Sequence, residues 1–103
     1  MPTKADTGIA ASAIDDLPQI WDGFAKLVRA GLDISAFGVQ IMDLPPDYTT
    51  ASHDESETGQ QELYVALHGA GVDRTLTSGP DGLRVLCVGA VPGAAYVAPE
   101  WTV

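Results

Sequence analysis

The apolar positions fall into two kinds of pattern. In "IDDLPQIWDGFAKLVRAGLD", residues 14–33, Leu17, Ile20, Trp21, Phe24, Leu27 and Val28 recur at spacings of three and four, which predicts one apolar stripe of a helix. Asp16 would cap it, and Pro18 suits a first turn, where its missing N–H would be unpaired anyway. Lys26 and Arg29 would favour the negative pole of the helix dipole, and Gly31 would stop the helix. A short helix followed by an edge strand fits the same residues.

Further along, the period changes to two. In "AFGVQIMDL", Phe37, Val39 and Ile41 alternate with Gly38, Gln40 and Met42, the mark of a strand, and "PPD" then forces a turn. Residues 49–60 are polar and acidic and read as a loop. "QELYVALHG" predicts a strand with Glu62, Tyr64, Ala66 and His68 on one face and Leu63, Val65 and Leu67 on the other, ended by Gly69 and Gly71. "DRTLTS" is a candidate short strand and "GPDG" a strong turn. "LRVLCVGAV" is apolar almost throughout, as in a strand covered on both faces. In the tail "PGAAYVAPEWTV", Tyr96 and Trp101 are anchors that could lie across the sandwich. One helix and several short strands with Gly and Pro turns predict a mainly β sandwich or small barrel. Residues 1–13 read as a loose arm and 14–103 as a single domain.

Composition narrows the function classes. The chain has 103 residues, 46% hydrophobic and 18% charged, which is globular rather than disordered. Its net charge of −9 argues against nucleic acid and anionic membrane surfaces, because little is present to neutralise phosphates. The single cysteine, Cys87, excludes an internal disulfide and sits where a strand would bury it, inert. No apolar run approaches the ~18 residues of a membrane span, and residues 1–16 lack the apolar core of a secretory signal. The expected location is the cytoplasm.

The candidate chemistry lies in "YTTASHDESETGQQELYVALHGAG", residues 48–71. His53 and Glu55 are two apart, so both point the same way in an extended segment, and Glu62 opens the following strand. If the loop folds back the three could meet, and one imidazole with two carboxylates suits Mn, Fe or Zn. A solvated acidic loop is the competing reading, in which Glu62 hydrogen-bonds Tyr64, Gln60 or Arg74. His68, beside Gly69, reads as a turn or surface residue. No nucleophile–base pair and no phosphate-binding loop stands out.

The same stretch resembles the first motif of the cupins, small jelly-roll β-barrels: His-x-His, a spacer, Glu, six residues, then Gly. Here Glu62 is followed by "LYVALH" and Gly69, His53 takes the first histidine's place, and Glu55 stands where the second histidine belongs. The spacer before Glu62 is slightly long. "AFGVQIMDLPPDY", "GPDGLRVLCVGAVPG" and "PEW" are similar to flanking segments of small bacterial cupins, so the likeness covers most of residues 14–103. The family's second motif, with Pro-x-Gly and a further ligating histidine, has no counterpart, and His53 and His68 are the only histidines.

The resemblance therefore implies a truncated cupin-type jelly roll with one N-terminal helix and a degenerate metal site. The expected function is a non-catalytic module that binds a small molecule or simply oligomerises, with no cofactor. The alternative is a dioxygenase- or isomerase-type enzyme holding a divalent metal on His53, Glu55 and Glu62. Without the central hairpin, "LYVAL" and "LRVLCVG" need new neighbours, either "DRTLTS" or a second copy, and a homodimer is the expected partner. The chain would be either a natural small variant or an internally deleted form of a larger cupin.

Overall fold

The pair Asp22–Gly23 decides how the first part of the chain folds. Trp21, Asp22 and Gly23 all take positive φ, and the Phe24 N–H bonds the Trp21 carbonyl at 3.1 Å. Asp-Gly favours this conformation in tight hairpins. The result is a short antiparallel hairpin, β1 (Gln19–Ile20) with β2 (Ala25–Lys26), closed by the Leu27 N–H on the Pro18 carbonyl at 2.8 Å. The expected long helix is thus replaced by a 3₁₀ turn (Ile14–Asp16), this hairpin, and a five-residue helix α1 (Val28–Leu32). Of the predicted stripe only Leu17 and Leu27 are buried; Ile20, Phe24 and Val28 are half-buried and Trp21 is exposed, while Ala25, outside the stripe, is fully buried in the hairpin. Nor does Gly31 stop the helix, which ends one residue later with Asp33 in the left-handed region. Gly31 is small because a Cβ there would lie 2.7 Å from Pro18 Cδ.

The computed structural model describes residues 8–50, 59–68 and 77–99. The fold is mainly β. Three longer strands follow α1, namely β3 (Gly38–Leu44), β4 (Gln61–His68) and β5 (Leu83–Ala90). They join the hairpin in one antiparallel sheet of order β1-β2-β3-β5-β4. The two segments that needed new neighbours are therefore each other's: β5 is central and "LYVAL" pairs beside it. Of "DRTLTS", Thr77 and Ser78 run against Thr49 and Tyr48 instead, and the rest lies outside the described residues. So do Gly69, Gly71 and Trp101, along with most of the acidic loop.

Register assigns the two faces. Leu83, Val85 and Cys87 on β5 lie opposite Leu44, Met42 and Gln40 on β3, and Cys87 lies opposite Tyr64 on β4. Leu44, Leu83, Val85 and Cys87 form the buried core, with Phe24, Met42 and Tyr64 packed against it. Tyr48 adds an edge-on ring contact to Phe24 at 5.5 Å. Tyr96 anchors the tail on this face as expected: a Cβ at Gly38 would lie 2.7 Å from its Cζ. The opposite face carries Arg84, Leu86 and Val88, all half-buried, so β5 is fully covered on one side rather than both.

Candidate functional site

A row of polar side chains crosses the sheet on the Arg84 face. Asp43 and Arg84 are direct cross-strand partners, and their side chains form a two-point pair, with Arg84 Nε and Nη2 donating to Asp43 Oδ1 and Oδ2 at 2.6 and 2.9 Å. This fork geometry is the strongest form of a carboxylate–guanidinium contact. Lys26, buried on β2, places Nζ 2.7 Å from Asp43 Oδ2 and donates to the Gly23 carbonyl at 3.0 Å. Its expected place near a helix C-terminus is corrected, because the hairpin turns it inward beside β3. The Arg84 hydrogen bond is the main force holding the Asp43 carboxyl below its ordinary value near 3.8; burial opposes it and Lys26 adds to it. Asp15 stands 4.0 Å from Arg84 Nη2 at the exposed rim.

His68 completes the row. Simple alternation puts it with Glu62, Tyr64 and Ala66, but the β4–β5 register slips between Ala66 and His68 and brings His68 opposite Arg84. One extra residue in an antiparallel pair sends the following side chain to the other face. No local residue signal marks this bulge.

Asp81 comes from the turn that precedes β5. The Gly82 N–H bonds the Gly79 carbonyl at 3.1 Å, closing the "GPDG" turn as expected. Gly82 has φ +79, and a Cβ there would lie 2.7 Å from the Leu44 carbonyl oxygen. The turn is tied to the end of β3 by Ser78. Its buried hydroxyl donates to the Pro45 carbonyl and accepts the Tyr48 N–H at 2.7 Å, while the Asp47 N–H bonds the Gly79 carbonyl at 3.0 Å.

Between these groups lies an open cavity of about 280 Å³ lined by Asp43, Leu44, His68, Asp81, Leu83 and Arg84. Arg84 commits one side of its guanidinium to Asp43, which leaves the Nη1 donors outside that pair. The cavity thus offers a cation, an imidazole and a carboxylate. His68 was legible only as a strand-end residue, and nothing in the sequence links Asp43 to Arg84, which are 41 residues apart.

The metal-site candidates are not brought into this cavity. Glu62 lies on the core face, where its Oε2 accepts the Tyr64 hydroxyl, one of the partners expected for it in the absence of metal. His53 and Glu55 lie outside the described residues. Among the described residues no group of three or more His, Cys, Asp or Glu side chains is placed to hold a metal ion. Cys87 belongs to the core and lies opposite Tyr64, and burial, then the Glu62 charge, push its thiol up to about 12. No described helix is long and apolar enough to cross a membrane. Comparison with known protein families, with curated proteins and with solved structures returned no match.

Proposed function

We propose that this chain is a non-catalytic module that binds a small polar molecule in the cavity at the end of its sheet. The observation that carries the reading is the convergence of Arg84, His68 and Asp81 on one open cavity, each from a different strand or turn. Ligand sites combine a few oriented polar groups with apolar walls. On this reading the fold is a shortened relative of the cupin barrel, working in the cytoplasm, and its first-motif glutamate serves packing through Tyr64 rather than metal binding. The direct test is a thermal-shift screen of small molecules against the wild type and a His68→Ala, Asp81→Asn double variant. Compounds that raise Tm only in the wild type support the reading; none, or equal shifts in both, would overturn it. Elemental analysis of untagged protein checks the metal alternative: stoichiometric metal lost in a His53→Ala, Glu62→Ala variant would replace this account with an enzymatic one.

A homodimer is the second reading, favoured by one observation. On β4, the edge strand among the described residues, Leu63, Val65 and Leu67 are 57%, 42% and 48% exposed. Eight strand residues span about 27 Å. A two-fold axis perpendicular to the sheet and centred on Val65 would set Leu63 against Leu67 of a second copy. A standard interface covers about 800 Å² per partner, more than one strand edge supplies, so the expected dimer is weak and concentration-dependent. Sedimentation over a hundredfold concentration range tests it; a single monomeric species throughout, or a dimer unaffected by Val65→Lys, would refute it.

A further inference from the structure

The cavity lining carries both signs of charge, and this restricts what it can hold. Arg84 contributes the Nη1 donors that its pairing with Asp43 leaves over, and His68, opposite it on β4, adds a second nitrogen-bearing group. Asp81 contributes a carboxylate from the "GPDG" turn. Asp43 is already engaged by Arg84 and Lys26 and is not available to a ligand cation. An anion alone would meet Asp81 and the field of a chain with net charge −9. A cation alone would meet Arg84. A molecule carrying both charges meets neither penalty.

The size of the site points the same way. About 280 Å³ is at or below the small end of ligand cavities. Resting on the binding-module reading, we propose that the cavity is a site for a small zwitterion of the α-amino-acid type. The ligand carboxylate sits on Arg84 and His68, and the ammonium on Asp81. Charge-assisted hydrogen bonds at both ends supply the specificity.

The experiment compares three probes that share one isobutyl group and differ in charge by ¹⁵N chemical-shift titration of the full chain: L-leucine, isovalerate and 3-methylbutylamine. The expected result is that leucine shifts the amides of His68, Asp81 and Arg84, with an affinity at least about tenfold above either single-charge probe, one charge-assisted contact being worth about that factor. Asp81→Asn should remove the leucine advantage while leaving isovalerate binding equal or stronger, which also shows that the variant is folded. Isovalerate or the amine binding as tightly as leucine would overturn the zwitterion assignment while leaving the cavity a binding site. The same holds if leucine binds Asp81→Asn unchanged. Leucine shifts confined to other parts of the sheet would overturn the assignment outright.

Discussion

Removing the Asp43 carboxylate should cost far more than removing either of its cationic partners. Lys26 has a side chain only 6% exposed, and its ammonium has two acceptors, Asp43 and the Gly23 carbonyl. Asp43→Asn leaves that ammonium buried with one neutral acceptor and a weaker amide contact. Breaking a buried pair by deleting one partner costs about 3–5 kcal/mol, whereas exposed pairs contribute about 0–1 kcal/mol. Asp43 and Arg84 are 28% and 34% exposed at their side chains, so solvent reduces their share. The expected cost of Asp43→Asn is therefore about 2–4 kcal/mol, set by the stranded lysine.

Lys26→Met removes the buried charge and leaves Asp43 its Arg84 fork, so its cost should stay below about 1 kcal/mol. Arg84→Gln should cost about 1 kcal/mol, because Lys26 still neutralises Asp43. Urea unfolding followed by far-UV circular dichroism measures all three. With a slope of about 1–1.5 kcal/mol per molar for a domain of this size, Asp43→Asn should lower the midpoint by about 2 M. Adding Lys26→Met to Asp43→Asn should recover a good part of that loss. The reasoning fails if Lys26→Met costs as much as Asp43→Asn, or if the double variant is less stable than either single one.

Other perturbations follow from the same geometry. Stability should fall as pH drops below about 3.8, because Asp43 has a folded pKa below its ordinary value: its contribution is complete above the unfolded pKa and is lost as pH falls through the folded one. Asp43→Asn should flatten this acid limb in a pH series of urea midpoints, and an unchanged limb would contradict the assignment. Gly82→Ala should cost clearly more than Gly93→Ala. Both have positive φ, worth about 1 kcal/mol, but only at Gly82 would a Cβ meet backbone, the Leu44 carbonyl oxygen at 2.7 Å. Equal urea midpoints for the two would refute this. Cys87, buried and with its thiol near 12, should resist a disulfide reagent at pH 8 until denaturant is added, whereas a stoichiometric reaction within seconds in the native state would show the core to be open.

Much of the sheet was legible from local pattern. The alternation of Val39 and Ile41 with Gln40 and Met42, and the turn residues at 45–47 and 79–82, bracket β3 and β5 where the strands stand. The face shared by Glu62, Tyr64 and Ala66 also follows from a period of two. The three-and-four spacing of Leu17, Ile20, Trp21, Phe24 and Leu27 predicts a helix, but the positive-φ turn at Asp22–Gly23 overrides it and folds the segment into a hairpin that buries only Leu17 and Leu27 of that stripe. The cavity was not legible at all. It depends on a register slip at the end of β4 and on the pairing of Asp43 with Arg84, both properties of strands meeting from distant parts of the chain.

The cavity at the end of the sheet is the proposed docking place for small molecules. A fragment library titrated at millimolar concentration into ¹⁵N-labelled protein tests this directly. Binding fragments should perturb a contiguous set of amides comprising Leu44, His68, Asp81, Leu83 and Arg84. A library that leaves those amides unmoved, or moves only Leu63, Val65 and Leu67 on the strand edge, would contradict it.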